Sequence, residues 1–159
     1  ETGTFNHSPA AYATREKEIE NYVFGHSTPV FSPTGGLKIS AIDLSKVMRM
    51  HMNLGAIEGG NIISKESAEL MQSAVSPKTE NDDTYGFAIT TSKNLLDGHT
   101  MIGHTGGAYG VFTSMFWDKD RKFGFVVMTN GCNGRRDNGF MSIHRECVAA
   151  MYKHFVAQN

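Results

Sequence analysis

The chain has 159 residues, enough for one compact domain or a piece of a larger one. Its 40% apolar and 19% charged content is that of an ordinary globular protein. Fifteen basic residues against sixteen acidic leave a net charge of −1, which offers no footprint for nucleic acid or an anionic membrane, and the short pair Arg135-Arg136 does not change this.

No apolar run approaches the ~20 residues that span a bilayer, and the longest, Phe123 to Met128, has a strand's length. The sequence opens at Glu1 with neither an initiator methionine nor a signal-peptide pattern, so the expectation is that something was removed upstream. Ser8-Pro9 can cap and open a short helix. The run beyond Ala13 has weak periodicity and reads as connection. A glycine-proline turn then leads to Ser40, an N-cap with Asp43 three residues on. It predicts a helix from Ala41 to Leu54, with Leu44, Val47, Met48, His51 and Leu54 on the apolar side and Gly55 ending it. Ser64 caps a second, shorter helix carrying Leu70 and Met71.

After Pro77 the period changes from helical to alternating. The segment Tyr85–Thr91 reads as a strand with Tyr85, Phe87 and Ile89 on one face. Asp97-Gly98 is a hairpin signal returning the chain toward Met101 and Ile102. Val111–Trp117 and Phe123–Thr129 alternate again, joined by a turn at "DKDR". From Asp137 the helical period resumes, with Phe140, Ile143, His144, Cys147, Met151 and Phe155 in one stripe. The expected fold is α+β: an antiparallel three-stranded meander with a C-terminal helix packed on it, preceded by a small helical region. Such a unit is marginal by itself. An absent N-terminal part, or self-association, is expected to cover its sheet.

Two cysteines without CxxC spacing, Cys132 and Cys147, argue against a zinc ribbon or a redox pair. They can form one disulfide or stay free, and free is preferred because Cys147 falls on the buried face of its helix. Seven histidines lack metal-ligand spacing: His99 and His104 flank a hairpin, and His144 and His154 stand ten apart. Neither a metal nor a cofactor is expected. Met48, Met71 and Met151 read as packing, and Trp117, alternating with Met115, is expected against the terminal helix.

The segment "GHTGGAYG", residues 103–110, holds the chemistry. A glycine pair lets backbone approach a ligand and leaves N–H groups to donate. A neighbouring histidine can donate a hydrogen bond or carry charge near neutral pH. Together they suit a carboxylate or a developing oxyanion. On pattern alone a plain glycine-rich hairpin with a polar histidine is the preferred reading. A nucleotide cradle does not fit, because a strand follows where a phosphate loop needs a helix N-terminus.

The order "PTGGLKISAIDLSKVMRM…YGFAI…GHTGGAYGVFTSMFWDKDRKFGFVVMTNG" resembles the C-terminal part of the serine β-lactamase-like, penicillin-binding-protein-like hydrolases of the class C β-lactamase and DD-peptidase type. Gly35, Gly36, Leu37, Ser40, Asp43 and Leu44 match its turn and helix start, and His104, Thr105 and Gly106 its Lys/His-Thr-Gly strand; "TGTF" at the start is a weaker echo. The resemblance implies a β-lactamase/transpeptidase-like fold, here a single partial domain over 1–159, in a periplasmic or secreted protein. It implies an acyl-enzyme hydrolase acting on a small-molecule or peptide substrate. His104 would supply a donor or positive charge, Thr105 a hydroxyl, Gly106 an open strand edge and Gly107 an oxyanion N–H. Tyr109 lines the substrate cleft or is simply a strand-edge aromatic. Histidine in place of lysine resembles the peptidase and esterase members. The family's other motifs, Ser-x-x-Lys and Tyr-x-Asn or Ser-x-Asn, are read as absent, since no serine has lysine three positions on and no tyrosine has asparagine two on. This chain alone is therefore expected to be inactive. The alternative is a non-catalytic binding or scaffolding module that keeps the fold.

Overall fold

The computed structural model describes residues 20, 21, 23, 37–108, 111–120, 122–131 and 134–158. The expected helix after Ser8-Pro9, most of the connection beyond Ala13, the Gly35-Gly36 turn, Tyr109 and Cys132 lie outside them.

Helix α1 (Ala41–Met52) starts where its cap predicts: Ser40 Oγ accepts from the Asp43 amide at 3.0 Å and donates to Asp43 Oδ2 at 2.9 Å. It stops two residues before the expected Leu54. The amide of Leu54 bonds the His51 carbonyl (3.1 Å) and that of Gly55 the Met50 carbonyl (2.8 Å), a Schellman closure whose left-handed residue is Leu54 itself (φ 53°). Strands β1 (Ala56–Ile57) and β2 (Gly60–Asn61) form a small hairpin leading to α2 (Lys65–Gln72), capped by Ser64. Ala68 is its buried residue, Met71 packs against the core, and Leu70 is exposed.

The main sheet has five antiparallel strands in chain order, not three: β3 (Thr84–Tyr85), β4 (Thr90–Ser92), β5 (Met101–Ala108), β6 (Val111–Asp118) and β7 (Gly124–Thr129). The expected strand Tyr85–Thr91 is folded in two. Gly86 N–H bonds the Ile89 carbonyl at 2.7 Å and Ala88 is left-handed (φ 59°), so the chain reverses there. Ile89 is buried, whereas Tyr85 and Phe87 are exposed, so the three do not share a buried face. The other added strand is the glycine-rich segment, which pairs with β6 from Met101↔Asp118 to Ala108↔Val111. Pairing along eight residues outweighs the poor strand propensity of its glycines. The Asp97-Gly98 turn forms as expected, closed by a His99 N–H to Leu96 carbonyl bond of 3.2 Å.

Side-chain alternation sends the two sheet faces to different helices. Met101, Phe116, Phe125 and Val127 pack with Val148 of α3 (Ser142–Phe155). Ile102 and Trp117 pack with Met48 of α1. Trp117, fully buried, therefore faces α1 and not the terminal helix, stacked on His51 at 5.6 Å with the rings 6° apart. Phe140 and Met141, expected in the helix, form β9 with Arg136-Asp137 (β8). Asn138 and Gly139 both have positive φ (48° and 87°), the requirement of a type I′ hairpin turn. Phe140 is still buried, and Ile143 and Cys147 are half-buried, so the predicted stripe faces the sheet; Phe155 at its end is exposed. Cys147 is free. No helix of the described residues is long and apolar enough to cross a membrane.

Two histidines are buried in these layers. Burial holds His51 below its ordinary value of 6.5. Burial likewise lowers His144, opposed by the Phe112 backbone and reinforced by the charge of Arg136. Each folded-state value lies below the unfolded one, so the unfolded chain takes up protons first as pH falls. Stability is then full above pH ~6.5 and declines below it, by up to about 1.4 kcal/mol per pH unit for each ring until that ring titrates. Thermal midpoints between pH 7.5 and 5 check this: they should fall on acidification, and His51→Met should flatten the slope. A midpoint independent of pH in that window contradicts it.

Candidate active-site strand

The hydrogen-bond alternation of the sheet decides which backbone groups are available. In an antiparallel pair, opposite residues exchange both hydrogen bonds in one row and none in the next. Lys119 N–H bonds the Thr100 carbonyl at 2.8 Å, which marks that row as bonded. Every second row from it, including His104/Met115 and Gly106/Thr113, is then bonded to β6. Met101, Gly103, Thr105 and Gly107 turn their N–H and C=O groups the other way. Strand β4 takes up the first two through Ser92 and Thr90. Beyond that point no described strand pairs with β5, so Thr105 and Gly107 present their backbone to an open edge.

The expected site residues divide by side. His104, Thr105, Gly106 and Gly107 are all exposed. Alternation puts the side chains of His104 and Thr105 on opposite faces of β5. The His104 ring meets Tyr85: the phenol oxygen lies 3.1 Å from Nε2 and the rings are edge-on at 5.8 Å. Thr105 instead lines a cavity of about 220 Å³, which Tyr85 also lines. Tyr85 thus links the two faces at the start of the open edge. The alternating pattern placed it only on one strand face with Phe87 and Ile89, and no spacing signal joins residues 19 apart on different strands. The fifth expected residue, Tyr109, is outside the described residues.

Other polar residues are less available. Ser114, opposite Thr105 in the ladder, is 2% exposed and its hydroxyl is buried. A Ser-x-Asn spacing does occur, at Ser92-Lys93-Asn94, but it builds a turn. Ser92 is buried and accepts from the Asn94 amide at 3.0 Å, while the Asn94 side chain donates to Asn81 O and Asp83 Oδ1. Ser40 and Asp43, matched to the helix start, are committed to capping α1. At the far end of β5, His99 Nδ1 lies 3.3 Å from Asp118 Oδ1, packed between Phe123 and Tyr152. Among the described residues no three ligating side chains converge as a metal site would need.

The arrangement is a strand edge with two outward backbone rows, an exposed histidine in contact with a phenol, and a small cavity that combines hydroxyl groups with an apolar floor. Outward N–H groups fixed in this way are the kind that suit an acyl oxygen, and among the described residues no nucleophile–base pair stands beside them. The sequence model of the family described as Beta-lactamase matches residues 2–149. No curated protein matches the chain.

Proposed function

The chain belongs to the Beta-lactamase family and so has a serine-hydrolase-related character, and from that premise we propose that residues 103–108 are the substrate-facing strand of an acyl-transfer site. The observation that carries this reading is the open edge of β5 beside the Tyr85–His104 contact. Thr105 and Gly107 offer outward N–H groups where an oxyanion can sit, and such donors act most strongly when fixed in advance. With the Tyr85 hydroxyl donating to Nε2, His104 keeps its proton on Nδ1, free to donate toward the substrate and its proton relay. The substrate is a peptide, amide or ester. None of the serines carries the lysine partner this chemistry uses, so the Ser-x-x-Lys nucleophile and its relay come from outside residues 1–159. From the resemblance to class C and DD-peptidase enzymes we also propose a periplasmic or secreted protein, which fractionation checks.

Tyr85 is a positioning residue here, and its test reads the ring it orients. Long-range ¹H–¹⁵N spectra of the protein should show His104 as the Nδ1–H tautomer, and Tyr85→Phe should shift it toward Nε2–H, the usual form of free histidine. In the acylating gene product the same substitution should lower kcat by about tenfold with KM little changed. An Nε2–H tautomer in the unaltered protein, or a Tyr85→Phe enzyme of full activity, overturns the role. A nucleophile-free gene product would instead support the alternative, a non-catalytic binding or scaffolding module.

A further inference from the structure

The cavity beside Thr105 is small, with more apolar than polar lining, and the charge among its described lining residues is of one sign. At about 220 Å³ it falls below the ~300–1,000 Å³ of pockets that enclose a whole ligand, so it fits one arm of a molecule lying along the β5 edge. Among the described residues its walls carry the hydroxyl residues Thr79, Thr84, Tyr85, Thr90 and Thr105 and one carboxyl, that of Asp83. Among the described residues no lysine, arginine or histidine lines it, which disfavours an anion. Phe116 and Phe140, both buried, form its apolar part.

The carboxylate is fixed before anything binds. Asp83 donates its amide to Thr79 Oγ1 (3.2 Å) and its carbonyl accepts from Thr79 N–H (2.8 Å), closing a tight loop. Asn94 Nδ2 holds Oδ1 at 2.9 Å. The other oxygen, Oδ2, is turned to the Gly139 side of the cavity, 3.9 Å from where a side chain at Gly139 would begin. Lys78 is paired with Asp82 and Arg145 with Asp97 and Asp137, while Arg136 donates to the carbonyl of Gly139 at the cavity wall. A carboxylate among hydroxyl acceptors above an apolar floor suits a group that is cationic at its tip and apolar along its stem.

We propose that this cavity recognises a primary ammonium on an alkyl stem, a lysine-like arm of the substrate; the word substrate rests on the hydrolase reading above, whereas the binding itself does not. The probe is Nα-acetyl-lysine methylamide, compared with Nα-acetyl-norleucine methylamide, which has the stem without the charge. Both are titrated into the protein while backbone amide resonances are followed. The lysine probe should saturably shift Thr84, Thr90 and Thr105, with at least tenfold higher affinity than the norleucine probe. Asp83→Asn keeps the acceptor for Asn94 and should erase that preference, and Thr84→Val, which leaves the loop intact, should weaken lysine-probe binding. Equal affinity for the two probes, shifts confined to other residues, or an unaltered preference in a folded Asp83→Asn protein overturns the proposal. Reaction with serine-directed probes is a separate measurement, so failure of the pocket and failure of the hydrolase reading are told apart.

Discussion

His104→Ala is expected to lower acyl-transfer turnover of the gene product carrying the Ser-x-x-Lys nucleophile by about 10²–10³-fold, with the thermal midpoint nearly unchanged. The ring is exposed at the point where β4 stops covering β5, so removing it takes little from the core. Surface replacements of this kind usually move stability by less than about 0.5 kcal/mol. What is lost, on the proposed reading, is the donor whose ring the Tyr85 phenol contacts at 3.1 Å. The effect should fall mainly on kcat, because a donor aimed at developing charge is worth more in the transition state than in the bound substrate. Steady-state kinetics on a chromogenic ester check this. An unchanged kcat returns the histidine to a polar residue on an ordinary hairpin.

The second large effect is on stability. Gly103→Ala is expected to cost about 4 kcal/mol or more, at the upper end of point-substitution effects. A Cβ on Gly103 would lie 1.9 Å from the Met115 carbonyl oxygen and 2.7 Å from the Phe116 Cα. Neither is the movable end of a side chain. Strands β5 and β6 would have to part along the ladder that carries both packed faces of the sheet. Urea denaturation followed by the fluorescence of Trp117, the one tryptophan, reads the loss directly. Wild-type-like stability in Gly103→Ala would mean that the two strands are less closely apposed than this.

Much of the architecture was legible because single residues announce it. Ser40 with Asp43, and Ser64, are caps whose hydrogen bonds form as the spacing implies. Period-two alternation located β6 and β7, and the terminal helix turns its predicted stripe to the sheet. The family was also legible, from the order of the helix start, the His-Thr-Gly segment and the following strands. What was not legible depends on long-range pairing. The strand around Tyr85 looked continuous because alternation cannot register a reversal made by one left-handed alanine. The Asn138-Gly139 turn was legible in principle, as an Asn-Gly pair, but the helical stripe running through Phe140 masked it. Trp117 and Phe116 sit side by side in sequence, and which of them meets the terminal helix follows from sheet parity. The Tyr85–His104 contact and the Asp83 cavity join segments that only the folded sheet brings together.

The central claim is that this stretch supplies the substrate-facing strand and that no serine within it is the nucleophile. Intact-mass analysis after incubation with a fluorophosphonate and with a fluorescent penicillin tests it. The 159-residue chain should gain no adduct, since a nucleophile needs a base within hydrogen-bond reach, while the gene product with Ser-x-x-Lys should gain one per molecule. Stoichiometric labelling of a serine within these 159 residues would contradict the claim.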